Sequence, residues 1–203
     1  MKWEELLAEV GVEPVFSSGL LLSGGRTRAG VRLQLSRWTK AGRLQQLRRG
    51  LYCLAEPYRK VMPHPFLVSN RLKRGSYVSL QSALSHYGLI PEHVPVVTAV
   101  TTGRPEKVRT PDGVYVFRHI KKSLFAGYRQ LELTAGQRAF MASPEKALLD
   151  LIWLTPDADG AAYLRELRLQ NMEGVDRAVL MELAERSGSS KLRRAAARIA
   201  DMA

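Results

Sequence analysis

The stretch RTRAGVRLQLSRWTKAGRLQQLRRGLYCL, Arg26 to Leu54, changes its hydrophobic period halfway along. In its first part Val31, Leu35 and Trp38 stand four and then three residues apart, which places them on one stripe of a helix running from Thr27 to Lys40. Arg32, Leu33, Ser36, Arg37 and Lys40 fall on the opposite face, with Arg28 in the first turn at the edge of the stripe. Ala41-Gly42 ends the helix. Leu44 and Leu47, then Leu51, Tyr52 and Leu54, suit two short strands, with Arg48-Arg49-Gly50 as the turn between them. Gly50 lets that turn form without a side-chain clash.

The charge of the same stretch is one-sided. Arg26 to Ala55 carries eight basic residues and no Asp or Glu. A face that only had to stay wet would mix signs. The whole chain of 203 residues carries a formal net charge of +12, which favours an anionic partner. Arginine offers a planar fork that grips phosphate oxygens or guanine O6 and N7. Arg28 and Arg32, near the helix start, are expected at base edges. Arg37, Lys40, Arg43, Arg48 and Arg49 are expected on phosphates, and Arg26, Thr27 and Ser36 complete the DNA-facing set. Five phosphate contacts predict a log K against log salt slope of about −4 to −5.

Upstream, KWEELLAEVG sets Trp3, Leu6, Leu7 and Val10 at helical spacing with Gly11 as a stop. SSGLLLSGG is expected to form a second helix, with Ser17 or Ser18 as N-cap and Gly24-Gly25 as the break. Helix, helix, basic helix and hairpin is the order of a winged helix-turn-helix, expected over residues 1–56.

Glu56 to Phe66 holds three prolines and reads as a linker over 57–66. Residues 67–203 read as a larger α+β domain, a small sheet followed by C-terminal helices. In it SYVSLQSALSHYG is a strand leading into a helix, with Ser79 as candidate cap, and Pro111-Asp112-Gly113 is a turn between strands. SPEKALLDLIWL has Ser143 as N-cap, Pro144 at the first position and Glu145 in the first turn.

Cys53 is the sole cysteine, which leaves no intrachain disulfide and no cysteine-based zinc site. His64, His86, His93 and His119 lack metal spacing, and Gly24-Gly25 precedes no phosphate-loop Lys-Ser/Thr. Glu145 and Lys146 are adjacent, so they diverge on a helix, and Asp150 follows them. The block therefore reads as a capped core helix rather than a metal-nuclease motif. No catalytic constellation, cofactor or metal site is expected. The absence of a signal segment or a spanning apolar run suggests a cytoplasmic protein with no membrane partner. Near the C-terminus Lys191, Arg193, Arg194 and Arg198 form a second basic cluster. It admits a second nucleic-acid contact, a solvated face, or pairing with the acidic helices before it, within the chain or across a dimer.

Taken together, LSRWTKAGRLQQLRRGLY, SYVSLQSALSHYGLIPE, VTAVTTGRP, FRHI, LFAGY and SPEKALLDLIW resemble the AbiEi-type antitoxins, regulators of viral-defence systems. The resemblance runs from about Val15 to about Arg198. It implies an N-terminal winged helix-turn-helix that binds double-stranded operator DNA and represses its own operon. It also implies a C-terminal domain that counteracts a nucleotidyltransferase-type toxin, in a type IV toxin–antitoxin system where direct contact with the toxin is not required. The alternative is a winged-helix transcriptional regulator without a toxin, whose second domain senses a ligand or partner.

Overall fold

The computed structural model describes residues 1–22, 25–92 and 94–201; Gly24 and His93 lie outside them. The fold is mixed α+β. Helix α1 (Trp3–Val10) is followed by strand β1 (Phe16–Ser17), a 3-10 turn (Leu20–Leu22), helix α2 (Arg28–Lys40), and strands β2 (Leu44–Arg48) and β3 (Leu51–Leu54). The N-cap of α2 is Thr27, whose Oγ1 accepts a hydrogen bond from the Gly30 N–H at 3.2 Å. The expected helix therefore forms within its expected bounds.

The expected second helix does not form. Ser17 belongs to β1, which pairs antiparallel with β3, and the Ser18 N–H donates to the Gly50 carbonyl. Neither serine caps a helix. With Phe16–Ser18 committed to the hairpin, too few residues remain before Gly25 for more than the 3-10 turn. The resulting three-stranded sheet has the order β1-β3-β2. Its core with the helices comprises Leu6, Val10, Phe16, Leu21, Val31, Leu35, Trp38, Leu44, Tyr52 and Leu54. Trp38 is accommodated by an aromatic stack. Its ring meets Trp3 edge-on at 5.1 Å, and Trp3 in turn meets Tyr58 at 5.0 Å.

The second part begins at helix α3 (Pro65–Leu72) and continues with β4 (Ser76–Val78), α4 (Gln81–His86), β5 (Val96–Thr101), β6 (Glu106–Thr110), β7 (Gly113–His119), β8 (Tyr128–Glu132) and β9 (Arg138–Ala142). The strands form one mixed sheet of order β6-β7-β5-β4-β9-β8, in which β4–β9 and β5–β7 are parallel. Helices α5 (Pro144–Leu154), α6 (Ala161–Glu166), α7 (Arg177–Arg186) and α8 (Ser190–Ala200) follow. The main core is built from α4, α5, α7, α8 and the sheet. Ser143 caps α5 as expected, accepting from the Lys146 N–H at 3.3 Å.

Ser79 is no cap. Its hydroxyl donates to Asp150 Oδ2 at 2.7 Å, beside a 3.0 Å bond from the Tyr77 hydroxyl to the same oxygen, while Lys146 Nζ pairs with Oδ1. Asp150 draws Ser79 inward because a carboxylate that is only 1% exposed needs every available donor. Leu80 takes the capping position instead, with φ 59°.

The proline-rich segment is not a free tether. Gln137 donates from Nε2 to the Met62 carbonyl at 2.9 Å and accepts at Oε1 from the His64 N–H at 2.8 Å. The His64 side chain caps α3, which starts inside the expected 57–66 linker. A third apolar cluster also crosses the expected boundary, packing Val15, Leu47, Leu51 and Cys53 of the N-terminal part against Val68, Leu72, Ala99, Tyr115 and Phe117. Cys53 is fully buried there, its thiol pushed up to about 11 by burial above all, so it is an inert packing residue.

Candidate nucleic-acid interface

Helix α2 packs Val31, Leu35 and Trp38 inward, and the hairpin folds back beside its outer edge. Between them lies a groove of about 1010 Å³. Arg28, Arg32, Ser36 and Lys40 enter it from α2, and Gln46 and Arg49 enter from the hairpin. These positions on α2 recur every fourth residue, so they form one row down the helix. All six side chains are exposed, and no carboxylate lines the groove among the described residues. None of Arg28, Arg32, Lys40 and Arg49 has an ion-pair partner among the described residues.

Other members of the expected set are placed differently. Arg37 is exposed but does not line the groove, standing about 100° round the helix from Ser36. With Lys40 it occupies the last turn of α2, where cations suit the helix dipole. Thr27 spends its hydroxyl on the cap. Arg26 pairs with Glu5 at 3.7 Å and with Glu9, bracing α1. The Arg43 guanidinium lies over the Trp3 ring at 5.4 Å.

Arg48 corrects the expectation most plainly. It donates through both terminal nitrogens to Glu106 at 3.2 Å and 3.2 Å, and to the Leu72 carbonyl at 2.8 Å. Lys73 holds the same carboxylate at 2.9 Å, and its hydrogen bond is the chief cause of a Glu106 pKa below the usual carboxylate value. Arg48 thus joins the hairpin to β6. The second basic cluster is engaged likewise. Lys191 donates to the Thr155 carbonyl, Arg193 pairs with Glu185 at 3.2 Å, Arg194 pairs with Asp159 at 2.8 Å, and Arg198 donates to the Asp159 carbonyl. Of the readings open for that cluster, pairing within the chain is the one the contacts match, and it tacks α8 onto α7 and the loop before α6.

Gln46 escaped the sequence reading because it is neutral, and only the folded hairpin brings it to the groove lining. Leu33 is 54% exposed on the outer side of α2, an apolar contact of the kind a thymine methyl can meet. An apolar residue on the polar face of a helical pattern was the signal for it. No model of a known protein family matches the chain, and no curated protein matches it in sequence.

Proposed function

We propose that this protein is a DNA-binding transcriptional autorepressor whose N-terminal part acts as a winged helix-turn-helix. The observation that carries the reading is the groove, where four unpaired cations from α2 and the hairpin tip converge with no carboxylate among the described lining residues. In this reading α2 enters the major groove. Arg28 and Arg32 meet base edges, and Lys40 and Arg49 hold the backbone on either side. Gln46 joins them as a neutral donor and acceptor.

The resemblance to AbiEi-type antitoxins extends the proposal to the second part, as the element that counteracts a nucleotidyltransferase-type toxin. The test has two arms. Labelled duplex from upstream of the protein's own reading frame should bind more tightly than shuffled duplex of equal length, and equal affinity would remove sequence-specific repression. Co-expression of a neighbouring nucleotidyltransferase with the full chain should restore growth, including with a chain whose groove cations are alanine. Growth arrest in both cases would leave a regulator without a toxin.

A further inference from the structure

A second cleft, of about 610 Å³, opens between the end of α3, strand β9 and the Val12–Pro14 loop. It shares no lining residue with the α2–hairpin groove. Arg71, Arg74 and Arg138 stand around it, all exposed, and none has an ion-pair partner among the described residues. Glu13 also lines it, as the one carboxylate there among the described residues.

Phe140 forms part of the wall. It sits in the middle of β9, yet 43% of it is exposed. The Phe140 N–H donates to Asn70 Oδ1 at 2.6 Å, which fixes this strand against α3, and its ring meets Tyr128 edge-on at 6.0 Å. Gln130 lies directly across from Phe140 on β8, so both side chains leave the same face of the sheet. The cleft therefore combines three guanidinium groups without ion-pair partners among the described residues, one carboxylate, a part-exposed aromatic ring and a side-chain amide. Cations alone would suit any anion. An aromatic ring beside them suits a planar base joined to a phosphate.

We propose that this cleft binds a nucleotide unit of single-stranded nucleic acid. Phosphate sits among Arg71, Arg74 and Arg138, the base stacks on Phe140, and the Gln130 amide meets the base edge. A paired duplex cannot present a base face to Phe140, so the cleft discriminates against the ligand of the first groove. A free mononucleotide offers the same chemistry, and the experiment separates the two sources.

The experiment uses the full chain with Arg28, Arg32, Lys40 and Arg49 changed to Ala, so that duplex binding does not contribute. Fluorescence anisotropy follows a labelled, uridine-rich single strand of about ten nucleotides. Binding should persist in this parent, fall at least about tenfold on Arg71→Ala/Arg74→Ala/Arg138→Ala, and fall about fivefold or more on Phe140→Leu, which keeps an apolar residue but no aromatic face. UMP should compete better than inorganic phosphate. A strand that binds no tighter than UMP identifies the free nucleotide as the source, and a tighter strand identifies the polymer. Unchanged binding in both variants, or phosphate competing as well as UMP, overturns the proposal. Should Phe140→Leu lower the melting temperature, photocrosslinking of a bromouridine strand to the parent replaces it. A crosslink at Phe140 or Tyr128 supports the site, and crosslinks confined elsewhere overturn it.

Discussion

Arg48 and Arg49 are neighbours in sequence and opposites in role. The β2–β3 register shifts between Gln46 and Arg48, which turns Arg48 toward β6 and leaves Arg49 at the turn beside Gly50. Gly50 holds φ 81°, and a Cβ there would come within 3.3 Å of Ser18 Oγ, so the turn that presents Arg49 depends on glycine. Arg49→Ala should flatten the salt slope of duplex binding by about 0.9. Arg48→Ala should leave the slope unchanged and instead lower stability in urea unfolding by on the order of 1 kcal/mol, since the pair is partly exposed and Glu106 keeps Lys73. The acid-free run was legible in the sequence. Its internal partners were not, because Glu106 lies 58 residues beyond Arg48 and Glu9 lies 17 residues before Arg26. A local window cannot show which carboxylates the fold will return. The Asp150 cluster makes the same point in the core. Asp150→Ala leaves the Lys146 ammonium buried without its counter-charge and should cost about 3–5 kcal/mol, read as a lower urea midpoint at unchanged m.

Elements were most legible where sequence chemistry and packing agree. Helix α5 was readable because Ser143, Pro144 and Glu145 all favour a helix start and the residues after them favour burial. The Ser79 cap failed because a buried carboxylate far along the chain competed for the hydroxyl. Helix α3 was hidden because its cap is a histidine within a run of prolines. There the His64 Nδ1 accepts the Phe66 N–H at 3.1 Å, which requires a neutral ring. Burial, with His86 nearby, holds the His64 pKa below 6.5. The unfolded chain therefore binds the proton more readily, so this stabilisation is complete above pH 6.5 and is lost as pH falls through the lower folded value. His64→Asn should keep the cap and reduce the loss of stability below pH 6.5, measured by thermal melts across pH. A melt whose pH dependence matches that of the unchanged chain would show that the His64 proton is not coupled to folding.

At the scale of the molecule, the proline-rich segment suggested two parts on a tether, whereas the hairpin shares a core and an ion-paired junction with the sheet. That sharing was not legible, because Leu47, Leu51 and Cys53 look like the inner face of any hairpin. Cutting the chain after residue 56 would bare Val15, Leu47, Leu51 and Cys53 on one side and Val68, Leu72, Tyr115 and Phe117 on the other. Each fragment should therefore unfold at lower urea than the whole chain, and fragments with unchanged midpoints would mean the junction contributes no stability. Separating the two proposed roles accordingly calls for substitutions in the intact protein. The central claim is that the groove between α2 and the hairpin grips a duplex. Its most direct test is duplex affinity across roughly 50 to 200 mM salt for the full chain and for Arg28→Ala/Arg32→Ala/Lys40→Ala/Arg49→Ala. The unchanged chain should show a slope of about −2 from Lys40 and Arg49, and the fourfold variant, with an unaltered melting temperature, should bind weakly with a slope near zero. A variant that keeps both affinity and slope would place the DNA elsewhere on the protein, or nowhere.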